Sequence, residues 1–424
     1  MSRPDRPAKE PRRVFVTGMG AITPFGLGVE ALWKGMSSGA NAIRPITRYD
    51  TEGFQCRVGG CVPDDLDWME RVPPRLRRKI DPFQAFAIIA SEEALAQAGL
   101  DPADVDRTRF GVSAGSSNGG VGTGLANHRL FLEKGFRGVS PFTGVRYTVN
   151  GASAWPAIRF GLQGPNEAFS MTCASGNAAI GNAFRKVRDG YADRMLAGAT
   201  DFLDKFILVF FHRARAVART ENPLAIDTLR PFDRHRKGTL LSEGAGFLLL
   251  ETEEATKERG ATPLAEILGM GETSDAYNIV APAPGGVAMS LAISRCLQEA
   301  GLAPHEIDFV SAHATGTLFN DPTEVEAIKA VLGEHARKIP VTGPKSQLGH
   351  LIGASSAVEA IAGIQGGLEG IVTPTLHLKD PDPRCDLDHV PGAPRSHPYR
   401  TFLNNAFGFG GHNVVLAIRT GPNL

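Results

Sequence analysis

The chain has 424 residues, 42% of them hydrophobic and 21% charged, which is typical of a globular protein with one large core or two fused ones. Its 45 basic and 45 acidic residues give a formal net charge of zero, so overall charge supplies no attraction to nucleic acid or to an anionic membrane. No apolar run reaches the roughly 18 residues that a membrane-spanning helix needs, and the five cysteines, an odd number in a long chain, argue against a disulfide framework.

The N-terminal segment 1–13, MSRPDRPAKEPRR, is polar and rich in proline and predicts a flexible tail before the first strand. It lacks the apolar core of a secretory signal, so we expect a cytoplasmic protein. Farther along, Cys56 and Cys61 are close in sequence. No histidine or second cysteine pair flanks them at zinc-site spacing, so no metal is predicted.

Strand-like apolar runs alternate with helical patterns along the rest of the chain. The strand-like runs extend from RVFVTGMG near the N-terminus to NVVLAIR near the C-terminus, and helical patterns occupy residues 83–98, 174–189, 288–300 and 354–369. This alternation predicts an α/β fold in which sheets and helices form layers.

An internal repeat indicates how these layers are arranged. The segment EALAQAGLDPADVDRTRFGVSAGSS (93–117) is similar to RCLQEAGLAPHEIDFVSAHATGT (295–317), about half the chain away. By the same logic, the unit around residue 173 pairs with IPVTGPKSQLGHLIGASSAVEAIAGIQ (339–365). We therefore predict two fused copies of one unit, an N-terminal half over 14–265 and a C-terminal half over 266–424. Facing each other, such halves would bring residue 173 and the loops at 313 and 350 to one central seam.

Cys173 lies in AFSMTCASGNAAIGNAF, where a strand-like run passes directly into small residues compatible with a helix. A helix N-terminus lowers the pKa of a thiol and favours the reactive thiolate, and the backbone N–H of the cysteine can bind a developing oxyanion. Free cysteines are more often buried core residues, so this segment alone leaves both interpretations open.

Two histidines follow predicted strands in the C-terminal half. His313 lies in HATGT, and His350 lies in PKSQLGH, five residues after Lys345. A cysteine hydrolase would pair one histidine with an asparagine or aspartate that orients it. Two neutral imidazoles can instead donate to the carbonyl oxygen of a second substrate and stabilise an enolate as carbon dioxide leaves. The pair therefore indicates decarboxylative carbon–carbon bond formation.

The C-terminal segment NNAFGFGGHN (404–413) combines glycines with Phe407 and Phe409. Its glycines permit unusual backbone angles and close approach to a ligand, which suits the entrance of an acyl pocket. A turn that carries two core aromatic residues is the alternative.

Together these motifs resemble those of the β-ketoacyl-acyl carrier protein synthases of the thiolase superfamily, above all the elongating synthase II type and the ketosynthase-alpha subunits of type II polyketide systems. The resemblance extends from VFVTGMGAITPFG to LAIRT, nearly the whole chain, and includes TCASGNAAIG, RPFDRHRKGTLLSEGAG, HATGT, PKSQLGH and NNAFGFGGHN in order. It implies a duplicated thiolase-like fold with five α-β-α-β-α layers. It also implies an acyltransferase that condenses malonyl-acyl carrier protein with an acyl chain, with loss of carbon dioxide, in fatty-acid or type II polyketide/polyene biosynthesis.

The resemblance assigns a role to each candidate catalytic residue. Cys173 would hold the acyl group as a thioester, with its own N–H and that of Phe409 forming the oxyanion hole. His313 and His350 would bind the malonyl thioester carbonyl and promote decarboxylation. Lys345 would tune the electrostatics around the histidines.

Further roles are implied for residues around this centre. Glu324 matches an acidic residue that pairs near the lysine, Thr315 and Thr317 match residues that bind the phosphopantetheine arm, and Phe407 and Phe409 match a gating loop. No cofactor is implied, because the phosphopantetheine belongs to the carrier.

The implied partners are an acyl carrier protein and a second subunit. The carrier is acidic, so a basic docking patch should exist despite the zero net charge. The second subunit would be another copy of the chain or a chain-length-factor-like protein. The positions that match the docking patch are Arg75, Arg78, Lys79 and Arg215.

One departure concerns Asn118 in GSSNGGVG, which stands where fatty-acid elongating enzymes usually have an apolar residue at the acyl pocket. A buried amide needs a hydrogen-bonding partner, so Asn118 would favour an unsaturated, polar or shorter chain.

Three alternative functions fit the motifs less well. A non-catalytic chain-length-factor-like subunit would lack the cysteine, whereas Cys173, His313 and His350 are all present. A thiolase needs a second cysteine in the C-terminal glycine loop, and FGFGGHN has none. A nucleotide-binding oxidoreductase would need a full Gly-x-Gly-x-x-Gly, which VTGMGAITPFG does not contain.

Overall fold

A computed structural model describes residues 11–421 and 424 of the chain. Most of the predicted flexible tail, residues 1–10, lies outside the described residues. Of the remainder, Arg12 forms an ion pair with Asp193 (2.9 Å) and Arg13 forms one with Glu266 (2.7 Å), so residues 11–13 are attached to the folded body.

Ten strands form one mixed sheet, and the two-residue strand Gly26–Leu27 pairs with the first of them. Several of these strands are buried along their whole length, because helices cover both faces of the sheet. In chain order the ten are β1 Val14–Thr23, β2 Phe110–Gly115, β3 Asn166–Phe169, β4 Arg194–Asp201, β5 Gly244–Thr252, β6 Ala265–Ser274, β7 Phe309–Ser311, β8 Val341–Thr342, β9 Thr401–Gly408 and β10 His412–Thr420.

The strand order repeats between the two halves of the sheet. Across the sheet it reads β3-β2-β4-β5-β1-β6-β10-β9-β7-β8, so each half, read outward from the central β1–β6 pair, has its strands in the same order: first, fifth, fourth, second and third. The halves meet where β1 pairs antiparallel with β6, and the pairing residues of β6 are Ala265 and Glu266. This repetition confirms the predicted duplicated α/β architecture. The division into 14–265 and 266–424 stays a prediction, and its boundary falls one residue inside β6.

The helices form three layers around the two halves of the sheet. Helices α3 (Pro82–Gln97) and α6 (Gly151–Phe160) cover the outer face of the first half, and α10 (Val287–Ala300) covers that of the second. Helices α7 (Ser175–Arg188) and α13 (Ser355–Glu369) lie between the halves and contact strands of both. The four helices predicted from the sequence correspond to α3, α7, α10 and α13, and each predicted end lies within one residue of the observed end. In chain order the helices are α1 Val29–Ser37, α2 Pro74–Arg77, α3 Pro82–Gln97, α4 Val121–Lys134, α5 Thr143–Tyr147, α6 Gly151–Phe160, α7 Ser175–Arg188, α8 Lys205–Arg213, α9 Glu253–Glu258, α10 Val287–Ala300, α11 Asn320–Leu332, α12 Lys345–Leu348 and α13 Ser355–Glu369.

The central helices α7 and α13 approach each other closely because small residues line their contact. A Cβ atom added at Gly176 would lie 2.6 Å from the Oγ atom of Ser356 and 2.8 Å from the backbone nitrogen of Ala357. Any larger residue at this position would therefore separate the two helices. Each helix follows one of the predicted site loops, so their separation sets the distance between those loops.

Two buried asparagines connect α7 to the second half of the sheet. The Asn177 amide donates to the carbonyl oxygens of Asn404 (2.8 Å) and Val414 (3.1 Å). The Asn404 amide donates in return to Asn177 Oδ1 and to the Ser356 carbonyl, both at 2.8 Å. Since buried polar groups are costly when unpaired, this reciprocal network fixes the position of α7 relative to α13 and β9.

Over the residues that the structure describes, no helix is both long and apolar enough to span a bilayer.

We expect Asn177→Ala to lower the free energy of unfolding by about 2–3 kcal/mol, because it leaves the Asn404 side chain and two carbonyl oxygens without their buried donor or acceptor. Urea denaturation followed by circular dichroism measures this change. Asn182→Ala is the matched control, since the Asn182 amide bonds only to Ala178 O within the same helix. An equal loss of stability in both variants would contradict the proposed role of the network.

Candidate active site

Cys173 lies in a single 3₁₀ turn, Thr172–Ala174, between β3 and α7. The strand ends at Phe169, so the cysteine does not lie on the strand itself. Thr172 has a φ angle of +50°, and its hydroxyl donates to the Phe409 carbonyl oxygen at 2.8 Å. This strained residue is therefore held by the C-terminal glycine loop, and it directs Cys173 toward the seam between the halves.

The structure brings together the cysteine and the two histidines. Cys173 Sγ lies 3.0 Å from His350 Nε2, and the rings of His313 and His350 are 5.7 Å apart. The Sγ atom and one ring nitrogen of each histidine all lie within 4.8 Å of one another. All three side chains are buried. The first half supplies the cysteine and the second half supplies both histidines.

The hydrogen bonds of His313 determine which of its ring nitrogens carries the hydrogen. Lys345 Nζ lies 3.3 Å from Nδ1, and an ammonium group can only donate. Nδ1 is therefore an acceptor, and Nε2 carries the hydrogen of the neutral ring. His313 accordingly presents an N–H donor on the side away from Lys345.

His350 is held in the same tautomer by other groups. The backbone N–H of Ile352 donates to Nδ1 at 3.2 Å, and the Ser355 hydroxyl lies 2.8 Å from the same atom. Because a backbone N–H cannot accept, Nδ1 must be unprotonated and Nε2 carries the hydrogen. The Nε2–H group of His350 faces Cys173.

Burial lowers the pKa of both histidines well below the usual value, and the nearby Lys345 charge lowers both further. The neighbouring His350 adds to the effect on His313. Both rings are therefore neutral at physiological pH, and the nitrogens that face the site are donors rather than bases.

The same hydrogen bonds bear on metal binding. The spacing of Cys173, His313 and His350 is small enough for three ligands of one ion. A ligating imidazole must offer a lone pair, but here Nε2 carries the hydrogen and the Nδ1 lone pairs already accept hydrogen bonds. The arrangement suits a negatively charged oxygen better than a cation.

The acidic partner of Lys345 is Glu359, which corrects the sequence assignment to Glu324. Lys345 Nζ lies 2.7 Å from Glu359 Oε1, and both side chains are fully buried. Burial raises the pKa of Glu359, and the Lys345 charge opposes this shift. The sequence offers a signal for Glu359, because it interrupts the otherwise apolar stretch AVEAIAGI of α13.

Glu324 has a different partner set. Its carboxylate accepts the backbone N–H groups of His313 (2.7 Å) and Ala314 (2.9 Å) and the Asn405 amide (3.0 Å). Burial raises the pKa of Glu324 to about 7, although these three donors lower it. Glu324 therefore fixes the backbone of the His313 loop rather than the lysine.

The expectation of a lowered thiol pKa at Cys173 is also corrected. Burial raises this pKa to about 12, while the Lys345 charge and the Phe409 backbone N–H lower it. The cost of removing a thiolate from water exceeds the stabilisation by the Lys345 charge and the N–H group, so the thiol is protonated.

A cavity of about 580 Å³, counted with its open mouth, leads to Cys173. Phe407 and Phe409 line it, with the Phe409 ring stacked on Phe211 at 5.8 Å and the Phe407 ring 5.9 Å from that of His313. The Phe409 backbone N–H acts on the Cys173 sulfur as a donor that lowers the thiol pKa. The positions of the two aromatic residues at this wall suit a gate.

Three hydroxyl groups line the same cavity. Thr315 and Thr317 have their Oγ1 atoms 3.0 Å apart. Thr239, which the sequence analysis missed, is 2% exposed, and within the described part of the chain its hydroxyl has no hydrogen-bonding partner. In the sequence, Thr239 is marked only as a polar residue directly before two leucines in TLL.

Asn118 is not among the residues that line this cavity. It lies on the loop after β2, where its backbone N–H donates to Asp201 at 3.2 Å. Its buried side-chain nitrogen lacks a partner among residues 11–421. Its role in an acyl pocket stays a prediction.

The predicted docking residues are exposed in the structure. Lys79 Nζ lies 5.5 Å from the centre of the Phe142 ring, a cation–π distance. No carboxylate in the described residues lies within 4.0 Å of a charged atom of the four. They are Arg75, Arg78, Lys79 and Arg215.

The chain matches two family descriptions, "Beta-ketoacyl synthase, N-terminal domain" over residues 11–256 and "Beta-ketoacyl synthase, C-terminal domain" over 264–379. It is 41% identical over 412 residues to the 3-oxoacyl-[acyl-carrier-protein] synthase 2 of Synechocystis sp., covering 97% of this chain and 98% of that protein.

Two solved structures share the fold. A chain of the complex described as "AntDE:AntF (apo): type II PKS acyl-carrier protein in complex with its ketosynthase bound to the hexaketide" has a TM-score of 0.88 at 32% identity. A chain of "The ishigamide ketosynthase/chain length factor" has a TM-score of 0.88 at 34% identity. Each match covers 97% of this chain and 100% of the other. The thiolase-like fold predicted from the sequence is confirmed.

We expect alkylation of Cys173 by iodoacetamide to accelerate with pH without a plateau below about pH 10, because burial raises the thiol pKa to about 12 and only the thiolate reacts. Peptide mass spectrometry after timed labelling measures the rate at this one cysteine. Lys345→Met should slow labelling at each pH, since the Lys345 charge lowers the thiol pKa. A plateau near pH 7 would show that the thiol pKa is low instead.

Proposed function

The chain belongs to the β-ketoacyl synthase family, and we propose that Cys173, His313 and His350 carry out its reaction. That reaction condenses malonyl-acyl carrier protein with an acyl thioester and lengthens the chain by two carbons. The supporting observation is the pair of neutral imidazoles beside Cys173, each with its Nδ1 held by a donor. Two such N–H groups suit a reaction in which negative charge develops on an oxygen.

In the first step Cys173 Sγ attacks the carbonyl carbon of an acyl-carrier thioester. The new carbon–sulfur bond forms, the bond to the phosphopantetheine sulfur breaks, and the thiol proton passes to the departing sulfur. The backbone N–H groups of Cys173 and Phe409 stabilise the oxyanion, which fits the Phe409 N–H at the sulfur. No cofactor of the enzyme takes part.

In the second step malonyl-acyl carrier protein places its thioester carbonyl between His313 and His350. The bond to the carboxylate carbon breaks, carbon dioxide leaves, and the electron pair moves into an enolate. The two Nε2–H groups donate to the enolate oxygen. Because burial keeps both rings neutral, they donate without transferring a full proton.

In the third step the enolate carbon attacks the acyl carbon held on Cys173. The carbon–sulfur bond then breaks, the departing thiolate takes up one proton from the solvent, and the β-ketoacyl carrier protein leaves. In the second and third steps Glu359 holds the Lys345 ammonium group against Nδ1 of His313, and this contact orients the ring. We infer that Thr315 and Thr317, which line the cavity, bind the phosphopantetheine arm.

We further propose that the chain works as a dimer with another copy or with a chain-length-factor-like subunit. In the described part of the chain, β3 ends the sheet and pairs only with β2. Apolar side chains lie exposed nearby in the sequence, and their exposure suits a subunit interface: Val145 (53%), Tyr147 (48%) and Ile158 (66%). The cytoplasmic location stays a prediction.

We expect His313→Ala and His350→Ala each to slow condensation roughly 10²–10³-fold, because each removes one donor to the enolate oxygen, while acylation of Cys173 continues. Intact-protein mass spectrometry after incubation with a series of acyl carrier proteins measures acylation, and product formation with malonyl-acyl carrier protein measures condensation. Cys173→Ala is the control that should accept no acyl group. Covalent loading of that variant would refute the assignment.

We expect Arg75→Glu and Arg78→Glu to raise the KM for acyl carrier protein roughly 3- to 10-fold at low salt, with kcat little changed, because the docking charges attract an acidic carrier. The difference should shrink as salt is added. Lys257→Glu is the control, a similar change at an exposed residue of α9. If it raised KM equally, the effect would reflect net charge alone.

A further inference from the structure

Ser355 is the first residue of α13, and its hydroxyl is fully buried. Within residues 11–421 its one hydrogen-bonding partner is His350 Nδ1, at 2.8 Å. No catalytic step described above uses this side chain. Its position behind the imidazole, on the side opposite Cys173, makes it a candidate positioning residue.

The duplicated half contains a matching serine with a different task. Ser175 begins α7 as Ser355 begins α13, and each follows a 3₁₀ turn whose first residue has a positive φ angle, Thr172 (+50°) and Ile352 (+57°). Ser175 Oγ accepts from the Met171 N–H at 2.9 Å and donates to the Thr172 carbonyl at 2.6 Å, so it bonds only to backbone. In the second half the equivalent hydroxyl bonds to a catalytic ring instead.

We propose that Ser355 holds His350 in the tautomer whose Nε2–H faces Cys173, so that Ser355 is a positioning residue for decarboxylation. This inference rests on the proposed function of His350. Two donors, the Ser355 hydroxyl and the Ile352 N–H, converge on one Nδ1 lone pair. In the other neutral tautomer and in the imidazolium, Nδ1 carries a hydrogen and cannot accept. Either change would therefore break the hydrogen bond from the Ile352 N–H and require the Ser355 hydroxyl to accept instead of donate.

The arrangement is the reverse of a hydrolase triad. There a carboxylate accepts the Nδ1 hydrogen and makes Nε2 a base, whereas a donor at Nδ1 makes Nε2–H a fixed donor. Ser355 thereby favours the neutral ring over the imidazolium.

The charged and titratable groups that face His350 act on the same equilibrium. Cys173 faces it from the turn before α7, His313 from the loop after β7, and Lys345 from α12. Asp201, at the end of β4, accepts the N–H of Gly353 in the loop that follows His350. Of these groups, the Lys345 charge opposes protonation of His350, as Ser355 does.

The test measures the two half-reactions separately in Ser355→Ala. Acyl transfer to Cys173 is followed by intact mass with the carrier-bound chain that loads the enzyme best. Carbon dioxide release from malonyl-acyl carrier protein by the pre-acylated enzyme is followed across pH. We expect acylation at the wild-type rate, decarboxylation slowed about 3- to 10-fold, and an acid limb displaced upward by about 0.5–1 pH unit, because the neutral ring loses one donor.

Ser356→Ala is the matched control, because the neighbouring hydroxyl is equally buried but accepts from the Asn177 N–H. It should leave the acid limb and the ratio of the two half-reactions unchanged. The inference is overturned if Ser355→Ala decarboxylates like the wild type, or if it slows both half-reactions equally with an unmoved acid limb. Wild-type decarboxylation by His350→Ala would instead refute the proposed function.

Discussion

The close packing of α7 against α13 is the constraint on which the site depends. Cys173 lies in the turn before α7 and His350 in the loop before α13, so the helix separation sets the 3.0 Å distance between sulfur and ring nitrogen. Gly176 leaves no room for a side chain between the helices. The Asn177–Asn404 network then fixes their alignment with the sheet. The small residues in this central layer thus allow Cys173 of the first half and His350 of the second half to come into contact.

Buried carboxylates hold the loops that this packing brings together. Asp201 accepts the N–H groups of Ser117 and Gly353, one from each half, and burial raises its pKa to about 6. Glu324 holds the His313 loop, and Glu359 holds Lys345. Burying such groups is costly, and the donors that contact each carboxylate offset part of that cost. The cost of burying these carboxylates is consistent with a function that needs imidazoles at fixed positions in a buried site.

The neighbours of each histidine determine which of its ring nitrogens accepts a hydrogen bond and which donates one. In both rings the nitrogen behind the site accepts from a group that can only donate, Lys345 Nζ in one and the Ile352 N–H in the other. The nitrogen that faces the substrate is consequently a donor. The backbone N–H groups of Phe409 and Cys173 act on the sulfur itself, where both lower the thiol pKa.

The alternation of strands and helices, the duplication and the ends of α3, α7, α10 and α13 can be predicted from the sequence alone, because they follow from local periodicity and internal similarity. Its motifs also indicated Cys173 and the two histidines. The folded chain was needed to show that Glu359 rather than Glu324 pairs with Lys345, that Thr239 faces the cavity and that the Cys173 thiol is protonated. Those properties depend on which groups burial places together and on the cost of desolvation, and neither can be derived from the spacing of residues along the chain.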